Sequence, residues 1–225
     1  MEADSGVTEG QRYGHLIRLK PEYRERYIVL HAHPFPGLIE RMQEAGLRNY
    51  SIFLRDHVLF SYYEYVGADF ETDMEAMADD ETVQDWWTLT DPMQEPLPER
   101  EEGAWWARMD ELYHGAPKSV PTEKTERMAY VSTFREGTEA EIRACYAEVG
   151  DVLAEALEDA NFQNHTVYRL GTRRYSYLEY AGNAPDRDRE RLLNTAVVQQ
   201  LGETLEPLLT DDAKRRPMES VFFMA

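Results

Sequence analysis

Two pairs of short segments rich in aromatic and β-branched residues are each interrupted by a short polar turn, one pair in each half of the chain. Positions 49–54 and 58–66 are separated by three polar residues. Positions 164–170 and 174–181 repeat this pattern around a Gly-Thr turn. Such segments around a short turn predict a β-hairpin in each half.

Apolar residues recur at helical spacing before each hairpin, over 21–46 and 138–160. In the first of these segments Pro21 suits a first helical turn and Gly46 a C-terminal cap, whereas Pro34 and Pro36 must interrupt the helix. The same periodicities predict further strands at 13–19, 109–114, 128–134 and 219–224, and further helices at 69–80 and 186–209.

The two halves are copies of one unit. Residues 44–67 align with residues 159–182 at an offset of 115 without a gap. The identical pairs are Ala45/Ala160, Asn49/Asn164, Ser61/Ser176, Tyr62/Tyr177, Glu64/Glu179, Tyr65/Tyr180 and Gly67/Gly182. Each copy has the order β-α-β-β-α-β of the ferredoxin-like fold. We therefore predict an α+β protein of two ferredoxin-like units, residues 11–115 and 126–225, packed sheet to sheet as an intrachain pseudo-dimeric α+β barrel.

Composition and charge narrow the class of partners. The 225 residues include 24 basic and 43 acidic side chains, a net charge of −19. Nucleic acids and anionic membranes need basic patches, so neither is expected as a partner. Cys145 is the single cysteine, which excludes an intrachain disulfide and favours a cytoplasmic location. The polar residues 1–10 are expected to be neither a leader nor an anchor.

The first unit contains three distinctive motifs. They are Lys20-Pro21-Glu22 followed by Tyr27 and His31, the run Arg48-Asn49-Tyr50-Ser51-Ile52-Phe53-Leu54, and the run Trp86-Trp87-Thr88-Leu89-Thr90-Asp91-Pro92-Met93-Gln94-Glu95-Pro96. Together they resemble the L-rhamnose mutarotase family, whose members are dimeric α+β barrel proteins of about the size of one unit. The resemblance covers residues 11–115.

This resemblance implies an isomerase that interconverts the α- and β-anomers of a free pyranose without a cofactor. It implies that His31 is the general acid, and that Tyr27, Tyr50 and the pair Trp86-Trp87 line the sugar site. Opening a hemiacetal requires one proton to reach the ring oxygen while another leaves the anomeric hydroxyl, and histidine suits both transfers. His31 and Tyr27 lie four residues apart and so share one helix face.

Further substrate contacts are expected from Asn49, Phe35 and His33. Phe35 stands where the family usually has Trp before a Pro, and Gly37 stands where an acidic residue is usual. No metal is expected, because residues two apart on a helix, such as His31 and His33, face apart. The departures leave two alternatives open: a cyclase, isomerase or oxygenase of a specialised metabolite, or a non-catalytic small-molecule-binding protein.

The second unit has different residues at every family-type position. At the offset of 115, His31 becomes Tyr146, Tyr27 becomes Ile142, Tyr50 becomes His165, and the Trp pair becomes Leu201-Gly202. We interpret this unit as a degenerate structural partner; the alternative is a different site around His165, Tyr146 and Tyr168. Glu64 and Glu179 persist in both copies, which favours a structural role for them.

Charge differs between the halves. Residues 1–115 hold 24 acidic and 10 basic side chains, a net charge of −14, whereas residues 116–225 carry −5. An acidic first unit suits a neutral or cationic ligand better than a phosphorylated sugar, and the expected partner is a neutral sugar. The internal pseudo-dimer is compatible with a monomer.

Overall fold

The computed structural model describes residues 10–117, 119, 121–122, 124–210 and 215–224. The segments predicted as strands and helices form strands and helices in it. Residues 1–9, which hold most of the segment interpreted as neither leader nor anchor, lie outside the described residues. The chain divides into unit 1, residues 1–108 with 219–225, and unit 2, residues 109–218. None of the helices in the described ranges is long and apolar enough to cross a bilayer.

The elements follow the predicted order with added short strands. In chain order the strands are β1 Gln11–Leu19, β2 Leu47–Arg55, β3 Val58–Tyr65, β4 Gln94–Glu95, β5 Ala107–Arg108, β6 Asp110–Gly115, β7 Glu126–Thr133, β8 Phe162–Leu170, β9 Arg173–Tyr180, β10 Arg216–Pro217 and β11 Glu219–Met224. The α-helices are α1 Arg24–Ala32, α2 Leu38–Glu44, α3 Phe70–Ala78, α4 Glu81–Thr90, α5 Glu139–Asp159, α6 Pro185–Leu193 and α7 Ala196–Leu205.

Each unit has one antiparallel sheet with the same central strand order. In unit 1 the order is β11-β2-β3-β1-β4, and β5 also pairs with β1. In unit 2 the order is β10-β7-β9-β8-β6. The first three strands of each copy are therefore arranged as in a ferredoxin-like fold. Together with the helices this confirms the α+β class.

The closing strands differ from the prediction. The segment expected to close the first unit, β6, pairs with β8 in unit 2, and the last strand, β11, pairs with β2 in unit 1. A local sequence pattern predicts that a strand forms but not which sheet edge it joins, because every edge offers the same backbone groups. The compact units of the structure therefore differ from the predicted repeat boundaries 11–115 and 126–225, which describe the duplication in the sequence.

Helix interruptions follow local chemistry. The helix predicted over 21–46 is split into α1 and α2 around Pro34 and Pro36, and Gly46 follows α2 with φ +79°. The acidic segment predicted as one helix continues into a second, α4, because the Asp80 side chain accepts hydrogen bonds from the backbone of Thr82 (2.9 Å) and Val83 (3.3 Å). Helix α4 carries Trp86 and Trp87.

The repeated Asn and Glu residues build a β-bulge in each unit. Asn49 has φ +50° and its side-chain amide donates to Glu64 Oε1 over 2.9 Å, where the register of β2 and β3 shifts. The Tyr62 hydroxyl donates to the same oxygen over 2.8 Å. The same two bonds, both 2.9 Å, recur in unit 2 at Asn164, Tyr177 and Glu179. The structural role predicted for Glu64 and Glu179 is confirmed.

Candidate active site

Unit 1 contains a cavity of about 610 Å³, a size usual for small-molecule sites. Its wall comes from β1, β2, β3, β11, all four helices of the unit and the segment after α4. The aromatic members of the wall are Tyr27, Tyr50, Tyr63, Trp86, Trp87, Trp105, Trp106 and Phe222. The other side chains in the wall with nitrogen or oxygen atoms are His15, His31, Ser61, Thr90, Asp91 and Gln94.

The structure brings five of the expected site residues to this one cavity. His31, Tyr27, Tyr50, Trp86 and Trp87 all line it. The two indoles differ in burial, since Trp86 is 8% exposed and Trp87 is 37% exposed. Trp86 meets the His31 ring edge to face, with centroids 5.1 Å apart.

The imidazole of His31 is held in one tautomer. Its Nδ1 lies 2.9 Å from the backbone carbonyl oxygen of Tyr27, one helical turn earlier. A carbonyl oxygen can only accept, so Nδ1 carries the proton and Nε2 of the neutral ring carries a lone pair. Burial lowers the pKa of His31 to about 4, and the hydrogen bond to Tyr27 opposes this only in part. At neutral pH the ring is therefore an uncharged base.

A chain of hydrogen bonds positions the Tyr27 hydroxyl. The Gln94 side-chain amide donates to the Tyr27 oxygen over 3.3 Å, and Trp105 Nε1 donates to Gln94 Oε1 over 3.0 Å. Because Tyr27 accepts from Gln94, its own O–H proton stays available to a ligand oxygen. Burial raises the pKa of Tyr27 well above 10, which keeps the phenol protonated.

A second group of aromatic side chains lines the wall from the sheet. Burial raises the pKa of Tyr50 to about 12, although a hydrogen bond with Ser61 opposes the shift. Tyr50 packs edge to face on Tyr63 (5.3 Å between centroids) and on Phe222 (5.9 Å). Tyr50 is therefore a fixed, protonated hydroxyl at the cavity wall.

The cavity carries little charge. Among the described residues that line it, Asp91 is the only carboxyl and there is no Lys or Arg. Burial raises the pKa of Asp91. Burial, with the nearby Arg108, lowers the pKa of His15 to about 4, so this second histidine is also neutral. An uncharged ligand fits these electrostatics better than an anion.

Three expected contacts are not in the cavity wall. Asn49 is turned to Glu64 in the bulge and is 2% exposed. Phe35 packs behind the wall against Trp86, with ring centroids 5.4 Å apart. His33 is solvent-exposed where α1 ends, because Pro34 breaks the helix there. Within the described parts of the chain, no group of three or more His, Cys, Asp or Glu side chains could hold a metal ion.

Several wall residues were not predicted as site residues. Gln94 lies inside the third motif, but its place beside Tyr27 depends on β4 pairing with β1. Trp105 and Trp106 lie in an irregular acidic segment between β4 and β5. Phe222 reaches the cavity only because β11 joins the sheet of unit 1. No local sequence signal identifies such long-range pairings.

The corresponding region of unit 2 is packed differently. Tyr146, the counterpart of His31, is buried, stacks on Tyr113 with centroids 5.3 Å apart, and accepts a hydrogen bond from Arg174. Ile142, the counterpart of Tyr27, lies in the core of unit 2. A cavity of about 10 Å³ on the side of His165 that faces Ala154 and Leu157 is too small for a sugar, and none of the described arginines of unit 2 lines it.

A ferredoxin-like unit with an aromatic-lined cavity beside a neutral histidine defines an α+β protein with a candidate small-molecule site. The L-rhamnose mutarotase family matches residues 12–115. The chain is 32% identical over 76 residues to L-rhamnose mutarotase of Tolumonas auensis, covering 34% of this chain and 72% of that protein. It is 29% identical over 94 residues to L-rhamnose mutarotase of Ligilactobacillus salivarius, covering 40% and 84%. The chain belongs to the L-rhamnose mutarotase family.

The fold of the whole chain also has a relative among solved structures. A candidate monooxygenase from Lactobacillus acidophilus superposes with a TM-score of 0.62 at 7% identity, covering 95% of this chain and 96% of that one. A candidate monooxygenase from Fusobacterium nucleatum gives 0.59 at 9% identity, covering 94% and 92%. At such identities the likeness concerns the fold alone, and it supports the α+β class for both units.

Proposed function

We propose that unit 1 is an isomerase that interconverts the α- and β-anomers of a free pyranose, such as L-rhamnose or a related deoxysugar. The observation that carries the proposal is that one cavity joins a neutral histidine, protonated phenols and indole rings. Family membership and the names of both relatives support anomer interconversion in general. The reaction needs only proton transfers, so these side chains suffice without a cofactor.

In this proposal His31 begins as a base. Its Nε2 takes the proton of the anomeric hydroxyl, the C1–O5 bond breaks, and the electron pair left on oxygen forms the C1 carbonyl. The Tyr27 hydroxyl gives its proton to the ring oxygen O5. After rotation about C1–C2, O5 attacks the other face of the carbonyl, O5 returns its proton to Tyr27, and the imidazolium returns its proton to O1. His31 thus acts as a general acid only in the second half of the reaction.

The remaining wall would bind the substrate. Trp86 and Trp87 offer indole surfaces to the apolar C–H groups of a pyranose or a deoxysugar methyl group. Tyr50 and Gln94 offer hydrogen bonds to hydroxyls. The near absence of charge favours a neutral sugar over a phosphorylated one.

NMR exchange spectroscopy on a panel of free sugars tests the proposal. We expect the protein to accelerate α/β exchange of L-rhamnose or a related deoxysugar above the buffer rate. A methyl glycoside of the same sugar binds the cavity but shows no exchange, because it lacks the anomeric hydroxyl. If no sugar in the panel exchanges faster than in buffer, the proposal fails.

The size of the cavity favours a second candidate, cyclisation or isomerisation of a larger apolar metabolite. About 610 Å³ lined by Met74, Met77 and several aromatic rings could enclose a molecule larger than a single pyranose. Mass spectrometry of the freshly purified protein distinguishes the two. A bound polycyclic compound that free sugars do not displace supports the second candidate, whereas its displacement by a sugar supports the first.

A further inference from the structure

Unit 2 carries positive charge where unit 1 has its neutral cavity. At the offset of 115, Arg189 of α6 corresponds to Met74, which lines the cavity. His165 of β8 corresponds to Tyr50, which lines it as well. The substitutions are therefore changes of chemistry and not only losses of catalytic residues.

A second arginine comes from an edge strand. In unit 1, β5 pairs with β1 and places Arg108 opposite His15. In unit 2, β10 pairs with β7 and places Pro217 opposite Tyr130, the counterpart of His15 at the offset of 115. Arg108 therefore corresponds to Pro217. Two residues before each of these stand Trp106 and Arg215. An indole that lines the cavity of unit 1 is thus replaced by a guanidinium in unit 2.

A third arginine lies on the same sheet face. Arg174 is two residues before Ser176, the counterpart of the cavity residue Ser61, so both side chains project from one face of β9. Its guanidinium donates to the Tyr146 hydroxyl over 2.9 Å. The guanidinium carbon of Arg215 lies 3.7 Å from the centre of the Tyr130 ring.

These cationic groups converge. Burial, together with the charges of the nearby Arg174 and Arg189, lowers the pKa of Arg215 to about 10. Burial also holds the pKa of His165 well below 6.5, helped by the charges of Arg215 and Arg174. Arg215 is exposed as a whole residue, whereas its guanidinium group lies over the Tyr130 ring.

Within the described ranges, no carboxylate forms an ion pair with Arg174, Arg189 or Arg215. Two buried polar atoms nearby also have no hydrogen-bond partner among the described residues. They are Nδ1 of His165 and Oγ of Ser176, whose residue is 2% exposed. Burying cations without a counter-ion beside unsatisfied polar atoms lowers the stability of the fold. A bound anion would offset this cost, although the chain as a whole is acidic.

We propose that the arginine cluster of unit 2, namely Arg174, Arg189, Arg215 and His165, binds a small hydroxylated molecule that carries a carboxylate or phosphate, such as a uronic acid or a sugar phosphate. Guanidinium groups match the two oxygens of such anions in a bidentate manner. The hydroxyl of Tyr146 and the ring of Tyr130 supply polar and apolar contacts for the rest of the ligand. Unit 2 is then a binding unit and not only a structural partner.

Isothermal titration calorimetry on the full chain at fixed ionic strength tests this proposal. The probes are D-galacturonate, glucose 6-phosphate, L-rhamnose and inorganic phosphate. The variants are Arg215→Gln and Arg189→Gln, with Arg173→Gln as the matched control. Arg173 is an exposed arginine next to Arg174 that projects from the opposite face of β9.

The expected result is that galacturonate or glucose 6-phosphate binds and that Arg215→Gln weakens this binding at least about tenfold, the usual effect of one lost charge-assisted hydrogen bond. Arg173→Gln keeps the wild-type affinity. Whichever probe binds identifies the anionic group. The proposal is overturned if neither binds at about 10 mM, if inorganic phosphate binds as tightly, or if Arg173→Gln weakens binding equally. The readout is binding alone, so this outcome is independent of anomer exchange in unit 1.

Discussion

The rings of His31 and Tyr27 stack with their centroids 3.9 Å apart, and His31 Nδ1 also donates to the Tyr27 carbonyl oxygen over 2.9 Å. Two residues four positions apart on α1 are thus joined twice, through rings and through a hydrogen bond. The first contact fixes the ring plane and the second fixes the tautomer. Together they prepare Nε2 for proton transfer.

The pH dependence of activity follows from this environment. Because burial lowers the pKa of His31 to about 4, the ring is neutral at pH 7 and stays so in mild acid. We expect kcat/KM to be flat from about pH 5 to 8 and to fall as the pH decreases through about 4, whereas an ordinary histidine would place the fall near 6.5. Initial rates across this range check it, with circular dichroism to exclude unfolding. A fall centred near 6.5 contradicts the assigned burial.

Truncating Gln94 removes the hydrogen bond that positions the Tyr27 hydroxyl. In Gln94→Ala the Tyr27 hydroxyl loses its donor and Trp105 loses its acceptor. We expect kcat/KM to drop about tenfold or more, in line with the loss of a buried hydrogen bond. Gln84→Ala is the control, since the exposed Gln84 side chain donates to the Ala78 carbonyl oxygen in α3, away from Tyr27. Equal kcat/KM for both variants speaks against a positioning role for Gln94.

The two copies of the β-bulge differ in burial, so the same Glu→Gln substitution is expected to lower the free energy of unfolding by different amounts in the two units. Glu179 is fully buried and accepts bonds from Gln163, Asn164 and Tyr177, so in Glu179→Gln an amide N–H₂ must face a donor. We expect a loss of about 1–3 kcal/mol in the free energy of unfolding. Glu64→Gln costs less, because Glu64 is partly exposed. Urea unfolding of both variants measures the difference, and a larger loss in Glu64→Gln refutes it.

Phe222, on strand β11, is expected to support both the stability of unit 1 and sugar binding. This residue of β11 packs on His31 and Tyr50 with ring centroids 5.9 Å away in each case. We expect Phe222→Ala to cost about 3 kcal/mol of stability, as for other buried Phe truncations, and to weaken sugar binding. Phe222→Leu keeps most of the volume and has a smaller effect. Thermal unfolding and sugar titration of both variants provide the check, and an unchanged affinity in Phe222→Ala contradicts the assigned wall position.

Local patterns predicted most elements and part of the site. The hairpins follow from aromatic-rich segments around short polar turns, and the helix break at Pro34 follows from proline chemistry. His31 and Tyr27 share a helix face because they are four residues apart. The placement of β6 and β11 could not be predicted, because strand edges are interchangeable in sequence terms. The sequence therefore does not identify Phe222 as a wall residue. It does not identify Arg215 for a related reason, because Arg215 matches Trp106 only through strand pairing and not through the offset of 115.

The most direct test of the proposed catalysis compares His31→Asn with His57→Asn. His57 is exposed in the turn after β2 with φ +63°, a conformation that Asn adopts readily. Anomer exchange is measured by NMR. Sugar binding is measured in parallel by tryptophan fluorescence, since all four tryptophans of the chain line the cavity. We expect His31→Asn to slow exchange of the bound sugar by about 10²–10⁴-fold while binding persists, and His57→Asn to match the wild type. Undiminished exchange in His31→Asn would contradict it.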